Sequence, residues 1–175
     1  RGLEEEVYDL TFGSREWRLL DAGRITRREA NERMLERARA VGRGFEVEGV
    51  LDDWMSMLHP RRRMQTLVEQ LKQRGYCAYY LSNIPEDVLD LLMHRDFEGL
   101  FDGGVASCEV KINKPDPRIY QALLDKYHLR ADECIFIDDR ADNLVAASAL
   151  GFGIYEMHNV GTLLRSLPTF GVSLH

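Results

Sequence analysis

At 175 residues and 45% hydrophobic composition, the chain can bury the core of one domain, which excludes intrinsic disorder. A net charge of −6 argues against a nucleic-acid or membrane-surface protein, although 19 of the 23 basic residues are arginine. Cys77, Cys108 and Cys134 are widely spaced with no CxxC, and no apolar run reaches the roughly 18 residues of a membrane helix, so the expectation is a cytoplasmic protein with reduced thiols and no zinc.

Residues 1–59 read as helix throughout. Thr26-Arg27-Arg28-Glu29 has the capping-box spacing, and Ala30, Met34, Leu35, Ala38 and Val41 follow at helical intervals. Val50, Leu51, Trp54, Met55 and Leu58 make a second stripe, and Pro60 suits the first turn of the next helix, whose apolar face is Met64, Leu67, Val68 and Leu71. From there the pattern alternates. Strands are predicted at 77–82, 105–107, 134–137 and 153–155, with helices at 86–94, from Asp116-Pro117 through Leu123, and at 141–150. Such alternation predicts an α/β fold, a doubly wound parallel sheet with ligands beyond the carboxyl ends of its strands.

Three of those ends carry polar groups. Ser82 and Asn83 leave a strand just before a helix, which suits either an anion or simple helix capping. Lys114 stands in Lys114-Pro115-Asp116-Pro117, where two prolines stiffen the backbone around an ammonium that can meet a phosphoryl oxygen or a carboxylate. Asp138, Asp139, Asp142 and Asn143 crowd oxygen ligands at the third end; like charges this close call for a cation, Lys114 in part and a hard ion such as Mg²⁺ for the rest.

Leu81-Ser82-Asn83, the stretch KPDPRIY at 114–120 and FIDDRADN at 136–143 resemble, in order and spacing, motifs two to four of the haloacid dehalogenase-like (HAD) hydrolases. The likeness is to the subgroup with a small helical cap and an Asp-Asp pair, which includes sugar-phosphate phosphatases. The resemblance implies a cap at 1–59 and a HAD-like Rossmannoid core at 60–175. It also implies a Mg²⁺-dependent phosphatase of a small phosphorylated metabolite, monomeric or homodimeric. Matched by position, Ser82 and Asn83 bind phosphate, Lys114 steadies nucleophile and phosphoryl group, Asp139 with Asp138 holds the metal, and Asn143 supports them. The family's nucleophile belongs to an Asp-x-Asp at the end of a first strand, and no Asp-x-Asp occurs in these 175 residues. With arginine at position 1, the expectation is a fragment whose first strand, nucleophile and general acid lie upstream.

A noncatalytic HAD-like binding protein and a 2-haloacid dehalogenase are the alternatives within the family. A phosphoacceptor receiver domain is disfavoured, because such domains place the acidic pair first and the lysine last. Trp17, Trp54, Met55, Met57 and His59 are candidates for the leaving-group pocket, although helix packing explains most of them more simply and His59, next to Pro60, reads as a hinge residue rather than a catalyst.

Overall fold

The computed structural model describes residues 2–174; the side chain of Met57, and with it the expectation placed on that side chain, lies outside the described residues. The N-terminal part is helical: α1 (Leu3–Leu10), α2 (Arg15–Asp21), α3 (Arg27–Ala40) and α4 (Gly44–Asp53), then a 3-10 turn at Trp54–Met57. The capping box forms: the Glu29 N–H donates to the Thr26 hydroxyl, and the Thr26 N–H donates to the Glu29 carboxylate at 2.8 Å. Ala30, Met34 and Ala38 are buried against Leu10, Leu20, Val47 and Leu51, so these helices have a core of their own. The second stripe does not run on as one α-helix, because α4 ends at Asp53 and Trp54 turns to pack on Ile84, Val88 and Leu89. Nor does Pro60 open a helix: α5 (Arg62–Gln73) starts beyond it, with Arg61 at its N-cap.

The remainder alternates as β1 (Tyr79–Ser82), α6 (Glu86–Arg95), β2 (Gly103–Ala106), α7 (Ser107–Val110), α8 (Pro117–Tyr127), β3 (Ile135–Asp138), α9 (Ala141–Ala149), β4 (Gly153–Glu156) and α10 (Val160–Ser166). Ser107, predicted to end a strand, instead begins α7. Pairing is parallel, β1 with β2 and β3 with β4, in keeping with the α/β fold. The sheet is nevertheless split. Among the described residues β1 and β3 share no ladder, and both line a cleft of about 860 Å³ through Tyr79, Tyr80 and Leu81 of one and Phe136, Ile137 and Asp138 of the other. A parallel strand is ordinarily covered on both faces. Here β1 is only half-buried along its length, and Ile137 is 36% exposed.

Ile119, Tyr120, Leu123 and Leu124 of α8 close a core with Phe136, Leu144 and Phe152, and the Tyr120 and Phe136 rings meet edge to face at 5.2 Å. This packing holds the Lys114 loop and the start of α9 against the end of β3. The cysteines are free thiols, and no described helix is long and apolar enough to cross a membrane.

Candidate active site

Lys114 joins the carboxyl ends of the two half-sheets. Its Nζ donates to the Leu81 carbonyl at the end of β1 (2.8 Å) and to Asp138 Oδ2 at the end of β3 (2.6 Å), 5.4 Å from the centre of the Phe136 ring. Both charged side chains are buried, at 10% and 7% exposure. An ammonium has three N–H donors, so one is left over for another acceptor. Burial works to push the Asp138 carboxyl up, but the Lys114 charge and the N–H groups of Asn143 and Arg140 outweigh it and hold the acid below its usual range.

Asn83 serves the backbone of Lys114. Its Oδ1 accepts from the Lys114 N–H at 2.7 Å and its Nδ2 donates to the Lys114 carbonyl at 3.0 Å. The amide therefore clamps the loop that carries the ammonium, a positioning role that was not foreseen beside the expected phosphate contact. Asn83→Ala removes both bonds and is expected to cost about 1–3 kcal/mol, read as a lower urea midpoint with an unchanged slope. An unchanged midpoint would mean that the clamp contributes nothing to stability. Ser82, by contrast, ends β1 with a hydroxyl that has no hydrogen bond among the described residues.

The crowded acids are largely neutralised from within. Asp138 Oδ1 accepts from the Arg140 N–H at 2.9 Å and from Asn143 Nδ2 at 3.0 Å, while Oδ2 takes Lys114. Asn143 is itself fixed, since its carbonyl accepts the Tyr120 hydroxyl at 2.9 Å. Asp142 pairs with Arg140 at 3.0 Å, and that hydrogen bond holds its carboxyl below the usual range. Asp139 alone remains: exposed, lining the cleft, with no ion pair among the described residues. Much less charge awaits an external cation than the sequence suggested.

A magnesium ion is bound through one or two carboxylates, with water and substrate phosphate completing its octahedron. The donor set fits the smaller share. Asp139 is free to ligate, both oxygens of Asp138 are engaged, and no described group of three or more His, Cys, Asp or Glu could hold a metal by itself.

Two features at the junction with the helical part escaped the sequence reading. Ser107, fully buried, accepts from the Ile84 N–H at 2.9 Å and donates to the Asp21 carbonyl, which ties α2 to the loop just after Ser82-Asn83. A serine directly after the apolar strand was the only signal for it. Arg27 forks onto Asp87 at 2.9 and 3.0 Å beneath Trp54 and Trp17, whose ring centres lie 4.6 and 5.4 Å from the guanidinium. Beside it, burial pushes the Asp21 carboxyl up to about 7, against the opposing pull of Arg27. Trp17, Trp54 and Met55 thus pack this junction; neither they nor the exposed His59 line the cleft.

A lysine thus bridges two parallel strand ends, with a serine on one end and an acid pair on the other, at the positions of the three motifs. The haloacid dehalogenase-like hydrolase family matches residues 4–151. The chain belongs to this family. It is 32% identical over 124 residues to the sesquiterpene phosphatase astK of Aspergillus oryzae, covering 70% of this chain and 63% of that protein. It is 30% identical over 95 residues to (S)-2-haloacid dehalogenase 4A of Burkholderia cepacia, covering 54% of this chain and 41% of that one. The chain thus spans less than two thirds of either relative. A solved HAD family enzyme of Bacteroides thetaiotaomicron, in complex with magnesium and inorganic phosphate, superposes with a TM-score of 0.65 at 25% identity over 93% of this chain and 84% of that one. A HAD-like hydrolase fold, with phosphatases and dehalogenases among its relatives, is therefore established.

Proposed function

We propose that this HAD-like hydrolase is a magnesium-dependent phosphatase of small phosphorylated metabolites, sugar phosphates among them, with residues 1–59 as its cap. The Lys114 ammonium carries the reading: buried, held at both strand ends and one donor short of saturation, it suits a phosphoryl oxygen. The nucleophile would be an aspartate on a further strand, seated in the cleft between β1 and β3. Ser82 would donate its free hydroxyl to a second phosphoryl oxygen, and Asn83 would act by fixing the Lys114 loop. Asp138 would keep Lys114 aimed, with Asn143 in support. Asp139 would be the metal ligand contributed by this chain. When bound, magnesium supplies Lewis-acid charge to the phosphoryl group.

The dehalogenase relative sustains a second reading, in which the same lysine and serine face a carboxylate substrate and no metal is needed. Release of phosphate from phosphomonoesters and of chloride from 2-chloropropionate, each with magnesium and with EDTA, separates the two on a chain extended upstream of Arg1. Magnesium-dependent phosphate release is expected; chloride release insensitive to EDTA would overturn the phosphatase reading. Asp139→Asn is expected to lower magnesium-dependent turnover about 100-fold, and turnover within about tenfold of the parent would remove Asp139 from the metal site.

A further inference from the structure

A second cavity, of about 230 Å³, lies where α2 meets the loop before α8, and it shares no lining residue with the cleft. Arg15, Arg18, Arg24, Lys111 and Arg118 line it, with Asp116 as the lone acid. Among the described residues, only Arg118 of these has a carboxylate partner, Asp116 at 2.7 Å. Arg18 donates to the Gly13 carbonyl at 2.9 Å, Arg24 to the Lys111 carbonyl at 3.2 and 3.0 Å, and Lys111 to the Gly23 carbonyl at 3.0 Å. Carbonyls satisfy these N–H groups without cancelling their charge. The Arg15 side chain has no hydrogen bond or ion pair among the described residues. A chain of net charge −6 therefore gathers four uncompensated cations around one small hollow.

The fold spends constraint to keep them there. Gly23 has a φ of +58°, and a Cβ on it would stand 2.7 Å from Lys111 Nζ and 2.8 Å from the Cys108 carbonyl, so the approach requires glycine. Lys111 itself is a non-glycine residue at φ 61°, a sparsely populated conformation that persists where the surroundings impose it. Cations gathered around one hollow repel one another unless an anion joins them.

We infer that this cavity binds a small, multiply charged oxyanion, a phosphoryl or polycarboxylate group, at the junction of the helical part and the core. Guanidinium forks match the oxygens of both groups. The volume is below the roughly 300–1,000 Å³ of sites that enclose a drug-sized ligand, so a compact charged group fits and a large body does not. The inference stands independently of the phosphatase reading.

The test is calorimetric titration of the chain at low salt, without divalent ions, using pyrophosphate and citrate as separate probes. Saturable one-to-one binding of at least one probe is expected, weakened about tenfold or more by Arg15→Glu and by Arg118→Gln and weakened by added salt. Ser82→Ala, at the other site, should leave it unchanged. Binding of both probes would mark a site that reads charge; binding of pyrophosphate alone would mark a phosphoryl site. The Arg15 side chain is exposed and makes no hydrogen bond or ion pair among the described residues, so Arg15→Glu should stay folded, and circular dichroism checks this. The inference is overturned if neither probe saturates by about 10 mM, or if binding survives Arg15→Glu and Arg118→Gln, with loss in Ser82→Ala then placing it at the other site.

Discussion

Lys114→Ala is expected to destabilise the fold by about 3–5 kcal/mol at pH 7, because it strands a buried carboxylate. Asp138 is 9% exposed, and of its three donors only Lys114 is a cation. The pH dependence gives the sharper signature. In the parent the folded Asp138 carboxyl lies below its ordinary value. Its contribution is therefore present above the unfolded value of about 3.9 and is lost as pH falls through the folded one. Between pH 5 and 7 this group adds no slope in the parent. Without Lys114, burial is opposed only by neutral N–H groups, and the carboxyl rises. The folded variant then binds a proton that the unfolded chain does not, so its stability falls as pH rises through that window. Urea unfolding at pH 5 and pH 7 should show a larger deficit at pH 7, and pairing Lys114→Ala with Asp138→Asn should recover part of it. An equal deficit at both values would mean that the ammonium is not what holds Asp138 ionised. In the chain with its nucleophile, the same substitution should lower kcat about 100- to 1,000-fold, as expected for a charge aimed at the transferring group.

The sequence made the elements readable because each one repeats a local rule. The Thr26 capping box, the helix begun at Asp116-Pro117 and the four strand cores all form where spacing and turn chemistry put them. The meeting of Lys114 with Asp138, at the carboxyl ends of β1 and β3, was equally legible, since a parallel α/β sheet brings its carboxyl ends to one side. What could not be read was which partner each polar group takes. Asp138 and Asp142 look alike in sequence, yet one accepts from a lysine 24 residues away and the other from an arginine two residues away. Asn83 resembles a ligand until the Lys114 peptide is seen to occupy both ends of its amide. Ser107 and Gly23 matter through contacts 86 and 88 residues away along the chain, a separation at which local pattern carries no signal.

Joining a strand that ends in Asp-x-Asp to the chain upstream of Arg1 is expected to raise stability and to confer phosphatase activity together. The split sheet motivates this: among the described residues β1 and β3 each pair on one side only, and both line the cleft. A cleft of about 860 Å³ admits water, so the edge N–H and C=O groups can bond to solvent rather than stand as buried orphans. The larger cost lies in apolar wall left wet, Ile137 and the half-buried faces of Tyr79, Tyr80 and Leu81 among it. Neighbouring strands lie about 4.8 Å apart, so one inserted strand can take a ladder from each edge and cover those walls at once. A net gain of about 3–5 kcal/mol is expected, which at about 2–4 °C per kcal/mol for a domain of this size is roughly 10 °C in Tm. Residues 1–175 alone should also self-associate through the open edges, and the extended chain should not. Thermal unfolding, sedimentation and magnesium-dependent phosphate release on both lengths make the comparison. Equal Tm and equal activity would show that the cleft is not a strand seat and that the nucleophile lies elsewhere. A rise in Tm without activity, even at saturating magnesium, would keep the strand in the cleft and reject the aspartyl nucleophile.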